Sequence, residues 1–251
     1  MMTRYFSKVG VWIFIFAVAW YLAGNYFLDR LKKEQVAYAE SMHVKEQHAD
    51  IGSNSRAVIR ALGDDFRVSH IKLVFDPAAS QASINNEDMQ VAASTQFVDG
   101  VFNITFSKAV APMDHHKKMI TEIRLPSSVN KVEIAGIDAV EISGSLPAPA
   151  AELVLENLGC TAKINIEQLQ VNRLKLVASC QIPPKNECCS TQFNLSEQIQ
   201  IGKLEVVMQH GSLDYSGSKV PQETLLNVGD NVSITGRREF LQSLRFGNGS
   251  R

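Results

Sequence analysis

"VEIAGIDAVEISG", Val132 to Gly144, says almost the same thing twice. The triplet Val-Glu-Ile returns at Val140, and each copy is followed by a small residue and a glycine. In a strand, successive side chains point to opposite faces, so Val and Ile share one face and Glu takes the other. The small residue and the glycine then form a turn. The unit is a short strand with one buried face, a turn, and a second strand of the same kind.

The pattern extends in both directions. Apolar pairs spaced by two recur at Val132/Ile134, Val140/Ile142, Leu153/Leu155, Ile164/Ile166 and Leu174/Leu176, at nearly regular intervals. After a gap come Leu204/Val206, Leu213/Tyr215 and Val232/Ile234, with "PAPA", "NLG", "HG", "YSGS" and "NVGD" as turn formers between pairs. Upstream, "FRVSHIKLVF" (66–75), "FVDGVFNITFS" (97–107) and "MITEIRL" (119–125) are rich in β-branched residues and read as strands. An antiparallel sandwich or barrel spaces its strands similarly. The likeness of successive segments favours an all-β, β-solenoid or parallel β-helix-like stack of short strands, with two or three strands per lap. Each inward Val, Ile or Leu contributes about 1.5–3 kcal/mol by leaving water, and a lap is stable only when stacked on its neighbours. "RREFLQSLRF" near the end suggests a short terminal helix.

The first fifth of the 251 residues differs. Val9 to Leu28 carries no charge, and a helix of that length spans roughly 30 Å, the hydrocarbon thickness of a bilayer. Tyr5, Phe6, Trp20, Tyr21 and Tyr26 lie near its ends, where amphipathic rings favour headgroups. This predicts an N-terminal transmembrane α-helix. Ala17/Ala19 and Ala37/Ala39 are poor signal-peptidase sites, so an uncleaved anchor is expected. Arg4 and Lys8 face Arg30, Lys32 and Lys33 across the run, which nearly balances the positive-inside count. The expected organisation is anchor 1–28, helical stalk and linker 29–60, extracytoplasmic β-solenoid 61–240 and C-terminal tail 241–251.

Four cysteines, Cys160, Cys180, Cys188 and Cys189, all follow the apolar run, and none has metal-site spacing. An even number after an export signal suits an oxidising compartment and disulfides. The bulk of the chain is therefore expected in the periplasm, with the helix in the inner membrane. Cys160 and Cys180 are separated by two strand intervals, which is one lap at two strands per lap. Laps stack about 4.8 Å apart, within disulfide reach. "CQIPPKNECC" reads as a loop inserted in the ladder, and three connectivities remain open.

In order along the chain, "FRVSHIKLVF", "VDGVFNI" (98–104), "ITEIRLP" (120–126) and the ladder "VEIAGIDAVEISG" followed by "LVLENLG" (153–159) resemble the head domain of auto-transporter adhesins, the GIN domain family. The resemblance covers about Phe66 to Arg237. It implies an envelope-exposed, β-solenoid-like domain and carries over no catalytic residue. The cysteine-bearing insert and the absence of the tripeptide Gly-Ile-Asn depart from the family pattern.

Candidate chemistry is sparse. "DHHKK" (Asp114–Lys118) pairs two histidines beside an acid, but neighbours on a strand point apart and cannot readily share an ion. The other histidines are His43, His48, His70 and His210. Glu133, Glu141, Glu205 and Asp214 alternate with apolar residues and are expected to face solvent, with no Arg or Lys partner. Stacked outward carboxylates could bind calcium or act on glycan. No G-x-S-x-G elbow, P-loop or dinucleotide fingerprint occurs. A net charge of −1 and the lack of a basic stripe speak against nucleic acid. The expectation is a membrane-anchored, non-enzymatic, adhesion-like or scaffold domain without cofactor or metal, with envelope glycan or protein as partner. The alternatives are a glycan-active enzyme using the outward carboxylates, and a β-domain subunit of a lipid-transport or secretion complex.

Overall fold

Every strand pairing between Val129 and Phe246 is parallel, and the chain returns to the same place again and again. The computed structural model describes residues 20, 21, 24–26, 30, 47–50, 55–63, 66–86, 91–108, 121–146, 151–159, 162–179 and 190–247. The strands are β1 (Gln47–Asp50), β2 (Ser55–Ala61), β3 (Ile71–Asp76), β4 (Gln81–Asn86), β5 (Val91–Val98), β6 (Val101–Lys108), β7 (Thr121–Pro126), β8 (Val129–Ala135), β9 (Ala139–Ser145), β10 (Glu152–Asn157), β11 (Ala162–Ala178), β12 (Thr191–Leu195), β13 (Gln200–Tyr215), β14 (Glu223–Gly236) and β15 (Leu244–Phe246); a short helix, α1, spans Arg238–Ser243. Among the described residues, the chain is all-β from β1 onward apart from α1.

Two ladders carry the pairing. On the first, Val132 stacks on Leu155, Leu155 on Leu176, Leu176 on Val206, Val206 on Leu226, and Leu226 on Phe246. On the second, Val140 stacks on Ile164, Ile164 on Phe193, Phe193 on Leu213, and Leu213 on Ile234. The return interval is nearly constant along both ladders, with one exception. The lap that joins Leu176 to Val206 and Ile164 to Phe193 is longer than the rest. It contains the cysteine-bearing segment, whose extra length accounts for the difference. The quoted repeat is thus one strand on each ladder: Val132 and Ile134 point inward from the first, Val140 and Ile142 from the second, and all four are buried.

The glycines after each copy differ in their duty. Gly136 has φ +72° and turns the chain between the ladders. Gly144 has φ +115°, and a Cβ there would lie 2.0 Å from the carbonyl oxygen of Phe75 on the adjacent strand. Strands β11, β13 and β14 run 17, 16 and 14 residues, continuing from one face round a corner to the next rather than ending after a single face. Register shifts between Ile166 and Gln168, and between Met208 and His210, mark two corners.

The N-terminal laps depart from simple succession. The first ladder continues β8–β2–β6 and the second β9–β3–β7, all parallel. The lap made by β2 and β3 therefore lies between those of β6/β7 and β8/β9, although it comes first in the chain. Beyond it the direction reverses: β5 pairs antiparallel with β6, β4 with β7, and β1 with β4. The run 97–107, expected as one strand, is a hairpin whose turn is Asp99–Gly100, both with positive φ.

β1 and nearly all of β2 fall inside the stretch 29–60 expected as stalk and linker. The helix α1 delivers Phe240 to the core, and β15, within the stretch expected as tail, adds a last rung on β14. The Phe240 ring stacks on Tyr215 at 4.1 Å with an interplanar angle of 11°. The cysteines and Asp114–Lys118 lie outside the described residues. So does most of 9–28, of which residues 20, 21 and 24–26 are helical. Among the described residues, no helix is long and apolar enough to cross a membrane.

Candidate functional site

The outward side chains of the first ladder carry a run of ion pairs. Period-two alternation puts Leu153, Leu155, Leu174, Leu176, Leu204 and Val206 inside and leaves Glu152, Glu156, Arg173, Lys175, Lys203 and Glu205 outside. Because the strands are parallel and in register, each outward residue has its neighbours on the laps above and below.

Glu133 is the centre of one cluster. Arg56 of β2 donates to its Oε2, and Lys131 Nζ lies 2.8 Å from its Oε1. The same ammonium reaches Glu156 Oε2 on β10 at 2.9 Å, and Ser179 Oγ donates to Glu156 Oε1 at 3.0 Å. Burial opposes ionisation of Glu133, but the hydrogen bonds from Arg56 and Lys131 outweigh it and hold the carboxyl below its ordinary range. Lys131 is raised by the same bonds, first to Glu133 and then to Glu156. A second cluster centres on Glu205 of β13, with Lys175 Nζ at 2.8 Å and Arg173 Nη2 at 3.1 Å. Lys175 is the main reason its carboxyl titrates low. Arg173 also approaches Glu152 at 3.6 Å, and Lys203 pairs with Glu223 at 3.0 Å.

This corrects the expectation of solvated carboxylates without cationic partners. Glu133 is only 2% exposed, and both it and Glu205 are held by two cations each. The cations were legible as types: "RLKLV" places Arg173 and Lys175 outward by the same alternation that places the acids. Which lap they met was not legible, because that depends on where the chain comes back after the cysteine-bearing segment. The other two expected acids sit on the second ladder. Glu141 has His70 Nε2 at 3.7 Å, and Asp214 stands in register with Asn194 and Thr235. The four do not converge. A glycosidase acid must be held protonated by its surroundings, and Glu133 and Glu205 are pushed the opposite way. Among the described residues, no three His, Cys, Asp or Glu side chains are placed to hold a metal ion.

No family model matches the chain, and no curated protein matches it. Among solved structures, the chain is similar to a "putative cell adhesion protein" from Clostridium sporogenes, at 10% identity and a TM-score of 0.34, covering 77% of this chain and 99% of that one. A likeness that distant carries no weight for function, and the GIN resemblance rests on the quoted motifs alone.

Proposed function

We propose that the chain is a membrane-anchored, extracytoplasmic β-solenoid that works by binding envelope components rather than by catalysis. The observation that carries this reading is the state of the outward carboxylates. Glu133 and Glu205 are spent in ion pairs that clamp one lap to the next, which leaves them unsuited to proton transfer. The two parallel ladders support the solenoid reading, since laps that return at a nearly constant interval build a long lateral surface suited to polymers or protein partners. The uncharged run 9–28 and the cysteine count support an inner-membrane anchor with the bulk of the chain in the periplasm.

Crosslinking of intact envelopes followed by purification of the full chain tests the reading. Recovery with glycan or with substoichiometric protein partners is expected. A stoichiometric inner-membrane assembly would instead favour a subunit of a transport or secretion machine. Non-reducing peptide mapping tests the compartment. A disulfide among Cys160, Cys180, Cys188 and Cys189 is expected, and the mapping shows which of the three connectivities forms. Four free thiols would overturn the periplasmic assignment.

A further inference from the structure

A sheet edge left open invites another strand, and native edges are guarded by charge, by proline or by brevity. The strands that end this sheet differ in that respect. β15 has three residues with Arg245 at its centre, and β1 has four, ending on Asp50. The second half of β14 has no further strand beyond it among the described residues. It is bounded by Asp230 and Arg237 and runs into α1, whose Phe240 lies beside Gly236. β5 has none of these guards. It is eight residues long, "VAASTQFV", without charge or proline. It pairs with β6 along its whole length, and no other described strand pairs with its second edge. Its core side is also partly uncovered. Phe97 stands opposite the fully buried Phe102, at an inward position, yet it is 42% exposed, and Val98 beside it is 44% exposed.

We propose that β5 pairs antiparallel with β5 of a second copy of this chain, about a two-fold axis at Thr95. The strand is complementary to itself in that register. Directly opposed residues of antiparallel strands share a face. An axis at Thr95 therefore sets Ala93 against Phe97 of the second copy, Ala92 against its Val98, and Ser94 against its Gln96. Each of the two exposed large apolar side chains meets an alanine, which leaves it room, and no like charges meet. Moving the axis to Ser94 or Gln96 would set Phe97 against Val91 or Thr95 instead. The same operation on β15 would set Arg245 against Arg245. Every second residue of β5 turns its N–H and C=O away from β6, so the added strand satisfies backbone while it covers Phe97. Such a contact is isologous and closes at two copies. The match between the two halves of β5 is what selects a second copy, since a foreign extended segment would require none. The inference stands apart from the envelope-binding reading.

The test is self-association of the purified full chain in detergent, measured by sedimentation equilibrium. A dimer is expected. Ser94 and Gln96 are exposed and face each other across the axis, so charges placed there read the pairing without entering the core. Ser94→Lys/Gln96→Lys sets like charges opposite one another and should raise the dimer dissociation constant at least about tenfold. Ser94→Lys/Gln96→Glu sets opposite charges together and should stay within about threefold of the unsubstituted chain. Near-UV circular dichroism should be the same for all three chains. A monomeric unsubstituted chain, or a dimer insensitive to the two lysines, would overturn the proposal. Equal weakening by both variants would overturn pairing with a second copy in this register and leave β5 as an edge for another protein's strand.

Discussion

From β8 onward each lap rests on the one before it in sequence, whereas ahead of β8 the chain lays down β2 and β3 and later slides β6 and β7 along their far edge. The two ends of the β unit are closed differently as a result. At the N-terminal end, direction reverses in β4 and β5, so the early parallel strands become interior ones. At the C-terminal end the ladder stops. Phe240 covers the ring of Tyr215, and Phe246, at an inward position on the last rung, is left 65% exposed. An open sheet edge is a template for unwanted pairing; among the described strands, β1 and β5 end the sheet at one end and β15 at the other.

The sharpest way to break the comparison is at the glycines where laps touch. Gly144 joins the irregular laps to the regular ones, with its missing Cβ 2.0 Å from Phe75 O; Gly211, φ +130°, does the same inside the regular laps, 2.0 Å from Thr191 O. A side chain at either must push backbone away. Gly144→Val and Gly211→Val should each destabilise by at least about 3 kcal/mol, read as Tm by near-UV circular dichroism. If Gly144→Val is tolerated, the join between β3 and β9 is looser than the regular ladder.

Next is the C-terminal cap. Phe240→Ala removes a fully buried ring, for which the usual cost is about 3–5 kcal/mol. At the end of a ladder α1 can settle into the space, so the low end of that range is expected. The Tyr215 phenol, pushed up to about 12 by burial, donates to Lys219 O. Uncovering the ring in Phe240→Ala should lower its titration midpoint, measured by ultraviolet difference absorbance. A midpoint that does not move would mean that Phe240 does not shield Tyr215.

What could be read from the sequence follows the same divide. Val132 to Ile234 repeat their apolar pairs because each lap must present the same inward positions to the next. The strands and their inward faces were therefore legible there. The order β6–β2–β8 leaves no such trace: β2 and β6 are each ordinary strands, and only their pairing across β3, β4 and β5 makes one the neighbour of the other. β1 was hidden by the helix-forming residues before "GSNS", and β2 starts at the end of that break, in the stretch expected as linker. Glu133 illustrates the same limit at the candidate site. Alternation correctly put it on the outer side of its strand, but its partner Arg56 comes from far earlier in the chain, on an out-of-order strand.

That dependence makes Glu133 a probe of the join. Glu133→Gln leaves Arg56 and Lys131 without their carboxylate. Removing one partner of a fully buried pair costs about 3–5 kcal/mol. Arg56 and Lys131 are partly exposed and can turn to water, so about 1–2 kcal/mol is expected. The pH dependence has a definite sign. The folded carboxyl titrates below its unfolded value of 4.5, so its contribution is complete above that pH and is lost as pH falls through the folded value. Lys131, raised above 10.5, contributes fully below that pH and loses its part as pH rises through the folded value. Tm should therefore be flat between these limits with respect to this cluster, and the acid limb should be shallower in Glu133→Gln. An unchanged acid limb would show that other carboxylates govern it.

The smallest effect belongs to Lys203 and Glu223, which pair at 3.0 Å between β13 and β14 in the regular laps. Lys203 is what lowers the Glu223 carboxyl, so the pair resembles the Glu133 cluster in chemistry. It differs in solvent: both side chains are about half exposed, and water and salt screen such a pair almost completely. Lys203→Ala should leave Tm unchanged within error at physiological salt, and Glu133→Gln should not. If the two variants lose equal stability, the ion pairs matter by their number along the ladder rather than by their burial beside the out-of-order lap, and the irregular N-terminal laps would then hold no special place in the stability of the β unit.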